Sequence, residues 1–278
     1  MQLKNIYPEW ITECYVSYDE LMSWDNVLCK QLLNERVMLI FKGLGPNLTD
    51  EQYHAFGEKF GKNWGADTYK LLRDKTVKNI DTFPVSYFQT GNNKWGADLM
   101  EWHSDMAHMD EISFPSRSLY MVNHTRNKSG STSWLNLELA WSQFSEEEKL
   151  EYQDVSVVQQ NLYVPHTRLQ TFPFLKINPR TGKVSPRVNC YVYPSVSERA
   201  WIHHIEHNGI PGSFEYNHKF IPHVYNQCMS KSNTLYTHHW ETGDLLIYDN
   251  FGTVHSREAV TFDEDEPDRL LKRLTINI

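Results

Sequence analysis

The sequence predicts a mainly β fold with flanking helices (α+β): a β-sandwich or jelly roll carrying helices on its outside. Three observations lead there. Helical periodicity is concentrated in the first sixty residues, whereas the rest is dominated by short runs of β-branched, aromatic and leucine residues. Aromatic residues reach 13%, with 9 Trp and 15 Tyr, which favours a β-rich body over a helical bundle. At 278 residues there is no internal repeat, low-complexity stretch or Pro/Gly/Ser linker, so a single domain over residues 1–278 is the simplest organisation.

Taken in order, Asp19 to Arg36 places Leu21, Met22, Val27, Leu28, Leu32 and Leu33 near helical period and is expected to be a helix. Val37 to Phe41 is an apolar run of strand length. Thr49-Asp50-Glu51-Gln52 is a capping-box start, in which the Thr49 hydroxyl and the Gln52 side chain each satisfy a free N–H; the helix it opens should reach about Phe60. Ser145-Glu146-Glu147-Glu148 is a second such start. Strands are expected at Ser118 to Val122, Thr132 to Asn136, Arg187 to Tyr193, Asp244 to Tyr248 and Leu270 to Ile278. The polar stretches 65–100 and 160–185, punctuated by Gly, Asn and Pro, read as long loops of the kind that close over binding sites.

The charge balance narrows the partners. With 27 basic against 35 acidic residues the net charge is -8, which disfavours nucleic acid, since phosphate binding needs a basic surface. No apolar run approaches the roughly 20 residues of a membrane span, and the start Met1-Gln2-Leu3-Lys4-Asn5 shows no secretory h-region. The cysteines, at 14, 29, 190 and 228, form no CxxC pair; they read as buried core residues and suit a reducing cytoplasm. The motifs of serine hydrolases, P-loop NTPases and Rossmann dehydrogenases (GxSxG, the P-loop, GxGxxG after a strand) are missing. Homo-oligomerisation is left open.

Thirteen histidines invite a search for metal ligands. In Trp102-His103-Ser104-Asp105, residues i and i+2 of a strand would aim an imidazole and a carboxylate at one point, a pairing suited to a divalent metal. Alone, HxD is a weak pattern, and a chance or surface pair is the plainer reading. Gly243 to Asn250 is a strand running into a turn, followed by His255, and could deliver a third ligand from 150 positions beyond Asp105. Arg269 and Arg273, four apart on the last strand, would share a face and could grip carboxylates with paired hydrogen bonds; the competing reading is two surface charges near an acidic stretch. His203 and His207, at i and i+4, would share one face of a helix and could hold zinc, although Glu206 is misplaced for the base of a zincin. His238 and His239 would point to opposite faces of a strand and could not easily share a metal. Trp102 and Tyr191 could wall a pocket, with core packing the plainer reading.

In combination these pieces resemble the taurine dioxygenase family of iron(II)/2-oxoglutarate-dependent oxygenases over most of the chain. The run Val37 to Leu44, the capped segment Leu48 to Tyr53 and the ending Phe56 to Gly61 are similar to the family's first strand, capped helix and "fG" close. Trp102-His103-Ser104-Asp105 resembles its "WHxD" and Gly130-Ser131-Thr132-Ser133-Trp134 its "GGDTxW", with Ser131 in place of the usual Asp. Thr181-Gly182-Lys183 with Val188-Asn189 resembles "tGk…lfvN", and Gly243 to Asn250 with His255 resembles "gDlxiwDN…H". The 14 positions from His255 to Arg269 are more like those of amino-acid-acting members such as clavaminate synthase than those of the taurine enzyme.

The resemblance implies a double-stranded β-helix core, a jelly-roll and cupin relative, in which His103, Asp105 and His255 hold Fe(II). It places Thr132 and Arg269 on the far carboxylate of the co-substrate 2-oxoglutarate and Arg273 on an acidic group of the substrate. With O2 as oxidant, the expected reaction hydroxylates an unactivated C–H bond of a small anionic substrate, an amino acid or derivative or a sulfonate, with release of succinate and CO2. A carboxylate at 105 argues against the related halogenases, which keep a small residue there. Desaturation, cyclisation or isonitrile formation on the same scaffold, and a non-catalytic jelly-roll binding protein, stand as the alternatives.

Overall fold

The structure is a computed structural model that describes residues 2–7, 10–63, 86–90, 98–105, 116–159, 169–189, 192, 202–262 and 269–277. Its strands are β1 (Gln2–Tyr7), β2 (Ile11–Tyr15), β3 (Met38–Lys42), β4 (Lys62–Asn63), β5 (Ser86–Thr90), β6 (Met100–His103), β7 (Ser116–Asn123), β8 (Thr132–Asn136) and β9 (Val155–Gln159). They continue with β10 (Gln170–Pro173), β11 (Leu175–Ile177), β12 (Val184–Pro186), β13 (Ile202–His207), β14 (Ile210–Pro211), β15 (Leu235–His238), β16 (Leu245–Tyr248), β17 (Thr253–Arg257) and β18 (Arg269–Asn277). The helices are α1 (Tyr18–Met22), α2 (Asn26–Glu35), α3 (Asp50–Phe60), α4 (Leu137–Ser142), α5 (Glu146–Leu150) and α6 (Phe214–Ser230).

Two sheets matter for the site. The larger runs β1-β2-β3-β16-β7-β18-β4, with β5 also on β18; the smaller runs β15-β8-β17-β6. The side chains of β16 show how they stack. Leu245 and Ile247 join an apolar cluster with residues of α2 and α3, whereas Leu246 and Tyr248 join one with Trp134 of β8. This two-residue alternation buries one face of the large sheet under helices and the other against the small sheet. β18 alternates likewise, with Leu274 and Ile276 toward the helices and Leu271 toward the small sheet. Behind the small sheet a third cluster joins Leu135 and Val254 to Val157, Ile205 and the Phe220 face of α6. This is the expected mainly β fold with helices outside.

The capping boxes form as expected. Thr49 N–H donates to Gln52 Oε1 at 2.9 Å while Gln52 N–H donates to Thr49 Oγ1 at 3.2 Å, and Ser145 and Glu148 exchange the same pair of bonds. Three expectations are corrected. The single helix over Asp19 to Arg36 is two helices, because Asp25 caps the second by accepting from Val27 N–H; Val27 and Leu28 are consequently exposed. Arg187 to Asn189 is not a strand, and Val192 makes only an isolated bridge to Ile202. The stretch 160–185 is not one loop, since it contains β10, β11 and the start of β12. Most of the stretch 65–100, together with Tyr191 and Cys190, lies outside the described residues; β5, within that stretch, is a strand on β18. Cys14, Cys29 and Cys228 are buried free thiols, as expected.

Candidate metal and co-substrate site

β6 and β17 are neighbours, and their register sets His103 directly opposite His255, with ring centroids 4.3 Å apart. Strand β6 ends at His103, so Asp105 is not brought round by strand alternation as the HxD spacing suggested; it lies in the following turn. Side chains hold that turn. Asn250, wholly buried, accepts from Asp105 N–H at 3.0 Å and donates to Asp105 O at 2.7 Å, while Ser104 Oγ donates to Thr253 O. The result is three potential ligand atoms, one each from His103, Asp105 and His255, within 4.8 Å of one another. They lie between the two sheets, because residues of the large sheet reach across to them.

Two of those are arginines on Asp105. Arg117 Nε donates to Asp105 Oδ2 at 3.0 Å and Arg273 Nη1 to the same oxygen at 3.2 Å. Arg117 is fully buried and its other arm donates to Thr275 Oγ1. Burial alone would raise the Asp105 pKa, but Arg273 and Arg117, helped by the imidazoles, hold the carboxyl well below the usual carboxylate range. For His255 burial is the leading cause and His103 adds to it, pushing the imidazole down to about 3. At neutral pH the pair is therefore an anionic carboxylate and a neutral imidazole, the protonation states a metal requires.

A divalent ion fits this set. His103 Nδ1 is 2.6 Å from Glu101 O, which fixes that nitrogen as the donor and leaves the other for an ion. His255 Nδ1 is buried without a hydrogen-bond partner, and a bound ion would relieve that ring. Trp134 lies nearly parallel to His255 and Tyr248 edge-on to it, so apolar walls keep water from this side.

Arg269, the first residue of β18, reaches across to β8. Among the described residues its one hydrogen bond is Nη2 to Gly130 O at 3.3 Å, and its buried Nε has no partner there. No carboxylate pairs with it among the described residues, and burial, with the nearby charge of Arg257, pushes it down to about 9. A buried guanidinium without a counter-charge is costly, so the place is suited to an incoming anion. Beside it, Thr132 Oγ1 accepts from Trp240 Nε1 at 2.9 Å. Indole only donates, so this contact leaves the Thr132 O–H free to donate to an anion.

The chain matches the family described as Taurine catabolism dioxygenase TauD, TfdA family over residues 3–275. The chain belongs to this family. It is an iron(II)- and 2-oxoglutarate-dependent dioxygenase, an oxidoreductase with a double-stranded β-helix core. It is 22% identical over 252 residues to an alkylsulfatase of Acinetobacter baylyi, covering 88% of this chain and 74% of that one. A taurine dioxygenase from Burkholderia xenovorans has the same fold, with a TM-score of 0.70 at 19% identity, over 99% of this chain and 90% of that chain. So does PvcB of Pseudomonas aeruginosa, an Fe, alpha-ketoglutarate-dependent oxygenase from an isonitrile synthetic pathway, with a TM-score of 0.68 at 15% identity over 98% and 87%.

The remaining expectations divide. His203 and His207 are not on a helix: β13 is a strand, where His203 contacts His204 and His207 bonds Tyr216, so the zinc pair does not form. His238 and His239 do diverge, toward Asp244 and Ser131 respectively. Trp102 packs against Tyr225 of α6 as a core residue. Arg273 faces the metal site but is engaged by Asp105. Sequence reasoning gave no role to Arg117, Trp240 or Arg257. The available signal was a cation on the inward parity of a buried strand, Arg117 two before Leu119 and Arg257 two after His255. No helix among the described residues is long and apolar enough to cross a membrane.

Proposed function

We propose that this enzyme hydroxylates an unactivated C–H bond of a small anionic substrate, an amino acid or derivative or a sulfonate, with 2-oxoglutarate converted to succinate and CO2. The observation that carries this reading is the convergence of His103, Asp105 and His255 within 4.8 Å, across the sheet gap from a buried arginine that no carboxylate pairs with among the described residues. His103, Asp105 and His255 are assigned as the iron ligands, one carboxylate and two neutral imidazoles on one face of the ion. Iron(II), once bound with the keto acid and O2, supplies the oxidising chemistry.

The chain's own part is binding and orientation. Arg117 and Arg273 occupy Oδ2 of Asp105 and leave Oδ1 to face the metal. Arg269 and the Thr132 hydroxyl receive the far carboxylate of 2-oxoglutarate. Arg273, with its side chain 13% exposed where that of Arg117 is 1% exposed, is the arginine of the pair that a substrate anion can share. An acid group held there would sit one side chain from the metal, which limits the substrate to small molecules. The alkylsulfatase and taurine dioxygenase relatives support a sulfur oxyacid as that group, and a guanidinium grips a carboxylate equally well. Buried, unpaired thiols suit a reducing cytoplasm.

The test is anaerobic addition of iron(II) and then 2-oxoglutarate to metal-free protein, followed by succinate assay over a panel of amino acids and sulfonates. A visible charge-transfer band and substrate-dependent succinate with a product heavier by one oxygen are expected. Absence of the band, or full oxygenase turnover by Asp105→Ala, overturns the ligand assignment. A product lighter by two hydrogens assigns desaturation in place of hydroxylation.

A further inference from the structure

We propose that Arg257 is a second co-substrate-binding residue, sharing the distal carboxylate of 2-oxoglutarate with Arg269. This rests on the co-substrate reading above and extends it to a residue outside the matched motifs. Arg257 lies two positions after His255 on β17, so both project from the same face of the strand. Across the ladder it pairs with Thr132, as His255 pairs with Trp134. At a strand rise of about 3.3 Å per residue, the two positions lie roughly 6.6 Å apart along the sheet. An extended five-carbon diacid spans about 5 Å between its terminal carbons. A keto acid whose first two carbons lie at the metal beside His255 therefore carries its far carboxylate to the level of Arg257 and Thr132.

Arg269 meets that level from the opposite sheet. Its guanidinium bonds Gly130 O, two residues before Thr132, and Glu258 N–H donates to Ser131 O, which pins the end of β17 against the same corner. The two arginines are thus buried on facing walls of one corner, close enough that each charge bears on the other. A carboxylate between them relieves that repulsion and accepts from both forks. Arg257 also donates from Nη2 to Asp98 O at 2.6 Å, and the neighbouring Ser256 Oγ donates to Met100 O, so this strand end also straps the segment leading into His103. The test must therefore separate a strap from a carboxylate ligand.

The protein is loaded with Mn(II), and binding of 2-oxoglutarate and of 2-oxopentanoate is measured by calorimetry. The second acid keeps the keto-acid end and lacks the distal carboxylate. Arg257→Gln is expected to weaken 2-oxoglutarate at least about tenfold and to change 2-oxopentanoate less than about twofold, with Arg257→Lys in between. Equal weakening of both acids assigns the strap role alone and overturns the proposal, as does no change in either. Where the Gln variant does not fold, the same selectivity in the Lys variant decides. Wild-type protein that binds neither acid overturns the co-substrate reading itself, whereas unchanged binding by a folded variant overturns only the role of Arg257.

Discussion

Thr132 offers the sharpest separation of binding from stability, because on the proposed assignment its single oxygen has two different tasks. It accepts from Trp240 Nε1, and its hydrogen is left to donate to the co-substrate carboxylate. Thr132→Val keeps the shape and removes both. Loss of a hydrogen bond to a charged group costs about 1.5–3 kcal/mol. At 1.4 kcal/mol per factor of ten, this is a 2-oxoglutarate affinity lower by roughly 10- to 150-fold. Trp240 is buried, so its N–H loses its partner without gaining water, at about 1–3 kcal/mol of folding stability. For a chain of this size that lowers Tm by roughly 2–4 °C per kcal/mol. Trp240→Phe removes the donor and part of a buried ring while leaving the Thr132 hydroxyl, and should lower Tm with little change in affinity, while Thr132→Ser should retain both. The assays are calorimetric titration of Mn(II)-loaded protein and thermal melts of the same samples. If Thr132→Val melts early but binds 2-oxoglutarate like wild type, the hydroxyl is a packing group, and its assignment to the co-substrate is wrong.

Two further outcomes are expected. Asp244 binds Lys42 Nζ at 2.6 Å and His238 Nε2 at 2.9 Å; burial pushes its carboxyl up, but these two partners outweigh burial and hold it below its ordinary 3.8. A depressed pKa gives stability that is present above 3.8 and lost as pH falls through the folded value. Asp244→Asn should therefore cost about 3 kcal/mol at neutral pH, and denaturant melts should show the gap closing toward acid; a gap that does not change with pH would refute the pairing. His203→Ala should leave bound iron at wild-type stoichiometry and turnover within about twofold, since His203 lies on β13 beside His204, outside the cluster of His103, Asp105 and His255; loss of iron would restore the zinc-type reading.

The sequence was most readable where one local rule decides the outcome. Thr49 with Gln52 and Ser145 with Glu148 form capping boxes because the cap needs only residues three apart. It was least readable where tertiary contact overrides period. Ser197 to His207 has the spacing of a polar helix, yet His207 and Ile205 pair with Val155 and Val157 of β9, and a register shift after Ile202 sets His203 and His204 side by side. Residues 19–36 look continuous until Asp25 takes the cap role. At the site, the family resemblance brought His103, Asp105 and His255 together, as their convergence bears out, but not the means by which Asp105 is aimed. That depends on Asn250, Arg117 and Arg273, which lie 145, 12 and 168 positions away.

The pattern of charge explains why anions should be the preferred ligands. Arg117, Arg257, Arg269 and Arg273 are gathered between the sheets, and the carboxylates described beside them are Asp105 and, at the outer edge of Arg257, Asp98. Among the described residues, a divalent ion added to four guanidiniums and two carboxylates leaves a net charge of about four, and a dianionic co-substrate halves it. A second anion lowers it again, whereas a cationic substrate would add to it. On the proposed assignment Arg273 is the cation through which that choice would be felt, because it already sits on Asp105. A substrate acid that draws Arg273 toward itself changes the charge on Asp105 Oδ2 at the same moment. If Asp105 holds the metal as proposed, substrate charge would be read there as well as at the pocket wall, and amide analogues of a good acid substrate should bind more weakly than loss of one hydrogen bond explains.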